Sequence, residues 1–169
     1  MPIVVSGNTY LNGDAALAGF SQAASDQVSS ADIRLLPPAP PSYAYGGTLY
    51  GDVQLLSGHA MGGEDVMSGG PEGVSFVGDA ALISDFAKGG DDVLTFFAFS
   101  GSIIGDADTI RGHGAGGDDI IKVGGRGSSA YGDARALTEF AHGGNDDITA
   151  TGRFTTAYGD AQTLTDHAW

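Results

Sequence analysis

Hydrophobic residues recur every 27 residues along most of this chain, for example from Met67 to Leu94 and from Leu94 to Ile121. One set of equivalent apolar positions holds Met67, Leu94, Ile121 and Ile148, and a second holds Phe76, Ile103, Ala130 and Ala157. Hydroxyl residues directly precede the second set, at Ser75, Ser102, Ser129 and Thr156. Alternation of apolar and polar positions is typical of short strands with one buried face, so each repeat is predicted to contain strands.

A third apolar set has a less definite local structure. It holds Leu56, Ile83, Ile110, Leu137 and Leu164, with Phe or His three positions later. The segment 133–144 could form a short helix, because Asp133 would cap its start and a glycine its end. However, helices pack at about 8–10 Å, whereas stacked strands are about 4.8 Å apart. We therefore predict an all-β fold, a right-handed parallel β-roll or β-helix solenoid, with a curved α/β solenoid carrying one short helix per coil as the alternative.

Gly-Asp pairs mark the same period. They stand at Gly51-Asp52, Gly78-Asp79, Gly105-Asp106, Gly132-Asp133 and Gly159-Asp160. Eleven residues after each of the first four comes a pair of glycines followed by acidic residues or Asn-Asp, at 62–65, 89–92, 116–119 and 143–146. A fixed period with no slip indicates a solenoid. We expect one domain over 1–169, with four and a half repeats in 51–169.

The first fifty residues fit the period poorly. An earlier Gly13-Asp14 pair precedes Gly51 by one period plus eleven residues. The excess falls in 35–45, where four prolines cannot donate hydrogen bonds to a sheet. We interpret 1–50 as an atypical first coil that carries a Pro-rich surface loop, with a polyproline ligand for a partner as the alternative.

Composition excludes several functions. The net charge is −14, from 7 basic and 21 acidic residues, which disfavours nucleic acid as a partner. The chain has no Cys, so a thiolate metal site or disulfide framework is excluded, while oxygen-ligated metals remain possible. The residues of 1–10 do not resemble a cleaved signal peptide, and no run of apolar residues is long enough to span a membrane.

Catalytic machinery is not visible in the sequence. No serine stands in a Gly-x-Ser-x-Gly motif, and the acidic pairs recur in every repeat, whereas a catalytic pair is normally unique. His59, His113 and His167 occupy one column with Phe86 and Phe140, which favours a packing role over metal binding. We therefore expect that the chain is not an enzyme.

The recurring acids favour divalent cations instead. More than half of the 21 acidic residues fall at two positions of the repeat, which we expect to form two corners of each coil. Stacked charges about 5 Å apart repel by about 3 kcal/mol at an effective dielectric of 20. Ca²⁺ accepts six to eight oxygens, whereas Mg²⁺ demands strict octahedral geometry and fits less well. The simpler interpretation is that each Gly-Asp pair forms an Asx turn without a metal.

These residues resemble the RTX (repeats-in-toxin) family, whose nonapeptide G-G-x-G-x-D-x-U-x is a Ca²⁺-binding repeat. The segments 63–67, 90–94, 117–121 and 144–148 match G-x-D-x-U. The resemblance implies a parallel β-roll with several Ca²⁺ ions between successive turns, bound by carboxylates and glycine carbonyls. The ligands carried over to this chain are Asp52, Gly63, Asp65, Asp79, Gly90, Asp92, Asp106, Gly117, Asp119, Asp133, Gly144, Asp146 and Asp160.

The chain also departs from the family pattern. A standard coil has two nonapeptides, whereas the repeat here has twenty-seven residues, and nine extra residues stand inside one nonapeptide, at 135–143 in one repeat. In the other half-coil, Val74, Gly101, Ser128 and Thr155 replace the expected Asp. We therefore expect one row of Ca²⁺ ions and an opposite turn without metal.

The resemblance further implies a bacterial extracellular protein that is exported by type I secretion without a cleaved leader and folds when it meets Ca²⁺. A structural or stabilising role in a secreted protein is the expected function. The alternative is a Ca²⁺-dependent adhesin or carbohydrate-binding module with a cell-surface or glycan partner.

Overall fold

The structure, a computed structural model, describes residues 3–5, 7–10, 16–17, 19, 21–24, 27–28, 33–35, 47–69, 73–97 and 99–169. These residues form an all-β fold of 19 short strands. The strands are β1 (Ile3–Val5), β2 (Gly7–Tyr10), β3 (Ala16–Leu17), β4 (Gln27–Val28), β5 (Ile33–Leu35), β6 (Gly47–Tyr50), β7 (Leu55–Leu56), β8 (Val66–Gly69), β9 (Val74–Val77), β10 (Ala80–Ile83), β11 (Val93–Phe96), β12 (Ser102–Ile104), β13 (Ala107–Ile110), β14 (Ile120–Val123), β15 (Ser129–Tyr131), β16 (Ala134–Leu137), β17 (Asp147–Ala150), β18 (Thr156–Tyr158) and β19 (Ala161–Leu164).

Three parallel sheets run along the solenoid, and each coil contributes one strand to each. Their orders are β18-β15-β12-β9-β6-β2, β19-β16-β13-β10-β7-β3 and β17-β14-β11-β8-β4. From β6 onward, paired residues are one sequence period apart, as in Leu94 with Ile121. The predicted β-solenoid is therefore confirmed. The alternative with a helix in each coil is wrong, because the segment suspected of helix formation begins as strand β16.

Each coil has two hydrophobic lobes, illustrated by the coil that starts at β9. The chain passes from β9 through Gly78-Asp79 into β10. The Ala87 N–H then donates a hydrogen bond to the Ser84 carbonyl, which closes a turn. The returning segment 89–92 then leads into β11, and the Gly90 amide contacts the Asp79 carboxylate. The nine extra residues of each repeat thus loop outward and come back.

The two lobes have separate cores. The first lobe lies between strands of the β9 and β11 type and buries Phe76, Leu94, Phe96, Ile103 and Ile121. The second lobe is formed by strands of the β10 type and the returning chain, with Leu56, Ile83, Ala87, Ile110 and Leu137 inside. We call the narrow region between them the waist; in each coil it consists of the Gly-Asp pair and the glycine-acid segment eleven residues later.

The first coil departs from the period in the structure as well. Strand β2 pairs with β6 so that Gly7 lies opposite Gly47, and β3 pairs with β7 so that Ala16 lies opposite Leu55, both steps being longer than one period. The additional chain includes β5, which pairs with β1 outside the three main sheets. Most of the Pro-rich segment 35–45, and the Gly13-Asp14 pair, lie outside the described residues.

Aromatic rings stack along the turn at the tip of the second lobe. His59, Phe86, His113, Phe140 and His167 form one ladder, with centroid separations of 5.3, 5.0, 5.1 and 5.2 Å. The packing role expected for these histidines is consistent with this ladder. Within the part of the chain that the structure describes, no helix is long and apolar enough to cross a membrane.

Candidate metal centre

The two acidic positions of the repeat lie together in the waist. The sequence predicts them at two corners of each coil, but the chain reversal through the second lobe brings them face to face. The first column consists of Asp52, Asp79, Asp106, Asp133 and Asp160, and the second of Asp65, Asp92, Asp119 and Asp146. Seven of these nine side chains are buried to 99% or more, the exceptions being Asp146 and Asp160. A row of buried carboxylates therefore separates two apolar cores.

Backbone amides of the glycine segments orient the first column. The Gly63, Gly90, Gly117 and Gly144 amides donate to Asp52, Asp79, Asp106 and Asp133 at 2.8, 2.9, 2.8 and 2.5 Å. Each bond spans eleven residues and joins the two sides of the waist within one coil. These glycines, expected as metal ligands, thus hold carboxylates in place through their N–H groups.

The second column is oriented from coil to coil. The amide of Asp65 donates to the Asp92 carboxylate at 2.7 Å, that of Asp92 to Asp119 at 2.7 Å, and that of Asp119 to Asp146 at 2.9 Å. Each of these carboxylates uses one oxygen for the preceding coil. The other oxygen is left facing the interior of the waist.

The remaining carboxylate oxygens are buried without a hydrogen-bond partner. Such atoms occur on Asp65, Asp79, Asp92, Asp106, Asp119, Asp133 and Asp146. A buried unpaired polar atom costs about 1–3 kcal/mol, and a charged one costs more. Native proteins contain few such groups, so seven in one row indicate that the waist is built around something that accepts oxygen lone pairs.

Glycine carbonyls complete each cluster of oxygens. A Cβ placed on Gly78 would overlap both the unpaired oxygen of Asp92 and the Gly105 carbonyl oxygen. The same arrangement repeats at Gly51, Gly105 and Gly132, where the overlapping atoms belong to Asp65 and Gly78, to Asp119 and Gly132, and to Asp146 and Gly159. At these four Gly-Asp pairs the glycine therefore leaves room for two converging oxygens. The sequence predicted glycine carbonyls as ligands but assigned them to Gly63, Gly90, Gly117 and Gly144. It did not single out the glycines of the Gly-Asp pairs, whose carbonyls lie beside the second-column oxygens.

Three carboxylates from two successive coils converge at two places along the waist. The oxygens of Asp52, Asp65 and Asp79 lie within 4.8 Å of one another, and so do those of Asp133, Asp146 and Asp160. The repeat places equivalent residues between these two groups, at 79, 92 and 106 and at 106, 119 and 133. An inner first-column residue such as Asp106 thus borders two consecutive sites.

Burial keeps these carboxyls from ionising easily in the absence of a cation. It is the largest cause that raises the pKa of Asp79, Asp92, Asp106 and Asp119 well above the usual range, and repulsion from neighbouring carboxylates adds to it. Burial likewise raises the pKa of Asp133 to about 7 and that of Asp146 to about 6. A bound divalent cation would reverse this effect by favouring the charged form.

The acids adjacent to the second column lie on the surface. Glu64, Asp91 and Asp118 are exposed, because neighbouring residues of the extended chain point to opposite sides. Asp91 accepts a hydrogen bond from the Asp118 amide at 3.0 Å, and Asp118 accepts one from the Asn145 amide at 2.9 Å. The Asn145 amide also lowers the pKa of Asp118. These acids tie successive coils together outside the waist.

The opposite half-coil contains no carboxylate at the equivalent position. Val74 and Ser128 are fully buried there, and a Cβ on Gly101 would overlap the ring of Phe96. An aromatic side chain thus occupies the interior at this side of the first lobe. The arrangement is consistent with one row of cations, as the substituted Asp positions predicted.

The donor chemistry restricts the kind of ion. Carboxylate and carbonyl oxygens suit hard cations, whereas zinc sites are normally built from His and Cys. Each of the two groups offers three carboxylates, and glycine carbonyls lie beside them. The described residues can therefore hold a hard metal ion in each group.

No family model matches this chain, and neither the curated proteins nor the solved structures include one that matches it.

Proposed function

We propose that the chain is a Ca²⁺-binding repeat module, related to the RTX repeats, in which a row of ions in the waist completes the fold. The single observation that carries the proposal is the row of buried carboxylates whose second oxygens have no hydrogen-bond partner. One cation per site would satisfy these oxygens and offset the repulsion between them.

The ions would act as structural elements rather than as catalytic groups. Each site repeats the same donor set in every coil, and the repeated carboxylates belong to the fold. Because the metal-free waist would place several like charges in a buried row, ion binding free energy contributes directly to folding free energy. We infer a stabilising, non-catalytic role.

The dependence on calcium fits a protein that works outside the cell. Where free Ca²⁺ is scarce the acidic chain would remain open, and at the millimolar levels typical of extracellular Ca²⁺ modules it would fold. The resemblance of 63–67, 90–94, 117–121 and 144–148 to the RTX nonapeptide supports the same setting. Secretion from a bacterial cell is therefore part of the proposal.

Circular dichroism during a Ca²⁺ titration tests the function. Starting in EGTA, we expect a weakly structured chain that gains β-structure cooperatively as Ca²⁺ is added, with a smaller effect of Mg²⁺ at equal concentration. A protein that is fully folded in EGTA and whose melting temperature does not change with Ca²⁺ would exclude the proposal.

A further inference from the structure

Exposed phenylalanines cluster at the turns that connect one coil to the next. We call the described residues 97 and 99–101, together with the segments 124–128 and 151–155, the outer turns; they follow β11, β14 and β17. The side chains of Phe97, Phe99 and Phe154 are 64%, 55% and 78% exposed. Three large apolar side chains in one region exceed what single scattered surface residues would explain.

Arginines lie among these rings. Isolated bridges stack Phe99, Arg126 and Arg153 on successive coils, and the Arg126 guanidinium lies over the Phe154 ring at 5.6 Å. Phe97 lies beside Gly124, where a Cβ would contact its ring. The outer turns of successive coils thus carry five such side chains, which we together call the Phe-Arg patch: Phe97, Phe99, Arg126, Arg153 and Phe154.

Phe154 occupies a backbone position that favours glycine. The equivalent residues Gly73, Ser100 and Gly127 have φ of 76°, 57° and 73°, and Phe154 has φ of 58°. A bulky side chain in the left-handed region is strained, and such strain is frequently associated with function. With 78% of its surface exposed, Phe154 buries little apolar area in return. The fold alone would be served better by glycine.

The patch differs in charge from the rest of the molecule. The chain has only 7 basic residues and a net charge of −14, yet Lys122, Arg126 and Arg153 lie in or next to the outer turns. The described residues of these turns include no acid. Glu72, one period before Phe99, lies outside the described residues. One pole of an acidic protein is therefore cationic and aromatic.

We propose that the Phe-Arg patch docks on an anionic membrane surface. The three phenyl rings would enter the boundary between headgroups and acyl chains, while Arg126, Arg153 and the neighbouring Lys122 contact anionic headgroups. A soluble polyanion would use the arginines but would leave the phenyl rings in water, so the combination favours a lipid surface. The acidic remainder of the protein would be repelled from the same surface, which orients the solenoid with its outer turns toward the membrane.

Vesicle flotation of the full chain, at one fixed Ca²⁺ concentration at which circular dichroism shows it folded, tests the proposal. We expect binding to phosphatidylcholine vesicles containing about 30% phosphatidylserine and little binding to phosphatidylcholine alone. The R126E/R153E variant and the F97S/F99S variant should each bind about tenfold or more weakly. Phe140→Ser removes an exposed phenyl ring from the opposite end of the coil and should leave binding unchanged.

A pair of glycine variants separates docking from folding. Phe154→Gly should raise the melting temperature, because it relieves the left-handed strain, and should weaken vesicle binding about fivefold or more. Ser100→Gly changes the same turn position two coils earlier; it should also raise the melting temperature and leave binding unchanged.

Several outcomes would overturn the proposal. Equal binding to neutral and anionic vesicles, or binding that all the patch variants retain, would exclude docking through this surface. Binding to heparin without binding to vesicles would show that the patch serves a soluble polyanion instead. The proposed Ca²⁺ function fails by a different observation, the absence of any effect of Ca²⁺ on the fold, so the two failures are distinguishable.

Discussion

The Asp92 amide donates a 2.7 Å hydrogen bond to one carboxylate oxygen of Asp119, while the other oxygen of Asp119 is buried with no hydrogen-bond partner. The first oxygen joins two coils and the second faces the interior of the waist. One side chain thus aligns the stack and presents a free acceptor to an ion.

The effect of replacing Asp119 on the stability of the fold should have opposite signs with and without calcium. With Ca²⁺ present, Asp119→Asn should reduce the Ca²⁺-dependent stabilisation by about 3–5 kcal/mol, because a buried cation loses a charged partner. In EGTA, where the wild type is weakly structured, the variant should gain β-structure, because it lacks a carboxyl group whose ionisation opposes burial in the waist. Urea denaturation with Ca²⁺ and circular dichroism in EGTA measure the two effects.

The matched control for this variant is Asp147→Asn. Asp147 is exposed on strand β17 and its side chain lies outside the waist. The Asp147→Asn variant should change neither the stability of the fold with Ca²⁺ nor the β-structure content in EGTA. If Asp119→Asn and Asp147→Asn have equal effects with Ca²⁺, the buried carboxylate is not a ligand.

The glycine of the Gly-Asp pair offers a second test. A Cβ on Gly105 would overlap oxygens of Asp119 and Gly132, whereas a Cβ on Gly159 would meet no atom within 4 Å. Gly105→Ala should therefore abolish most of the Ca²⁺-induced rise in melting temperature, and Gly159→Ala should keep it. Differential scanning calorimetry compares the two, and equal losses would contradict the cradle described at Gly105.

The metal-free protein should become less stable as the pH rises. The folded state holds protons that the unfolded state releases near pH 4, because burial raises the pKa of Asp146 to about 6 and that of Asp133 to about 7. Stability in EGTA should therefore fall between about pH 4 and pH 7, by on the order of a few kcal/mol. With saturating Ca²⁺ it should rise over the same range, since the ion competes with protons. Melting curves in EGTA that improve toward pH 7 would refute this assignment.

The aromatic ladder makes an independent prediction about stability. His113 stacks between Phe86 and Phe140, at 5.0 and 5.1 Å, whereas His167 stacks on Phe140 at 5.2 Å. Each ring pair contributes about 0.5–1.5 kcal/mol, so His113→Ala should cost about twice as much as His167→Ala in the free energy of unfolding. Equal costs measured by urea denaturation would show that the stack adds little beyond local packing.

The strands and their register follow from the sequence because the period is strict. Met67, Leu94 and Ile121 stand one period apart, and each is buried in the first lobe. The waist does not follow from the pattern, because it requires the chain to reverse between the two acidic positions. The reversal uses a left-handed residue at 58, 85, 112, 139 and 166, but only Gly58 and Gly112 are glycines there. Asp85, Glu139 and Asp166 take the left-handed conformation at the other three positions, so glycine does not mark the turn in those coils.

Side-chain partners across coils are also invisible in the sequence. Asp108 lies outside both acidic columns, and nothing in the repeat pattern indicates a partner for its side chain. In the structure its carboxylate accepts a hydrogen bond from the Tyr50 hydroxyl and forms an ion pair with Arg135. These contacts join residues up to 58 positions apart. Only the stacking of coils brings them together.

Anomalous scattering from a crystal grown with Ca²⁺ tests most directly whether cations occupy the waist. We expect a single row of peaks inside the waist, with one ion among Asp52, Asp65 and Asp79 and another among Asp133, Asp146 and Asp160. We expect no row in the opposite half-coil near Val74 and Ser128. A waist without anomalous density, in which the carboxyl groups pair with one another instead, would show that the waist is not a Ca²⁺ site.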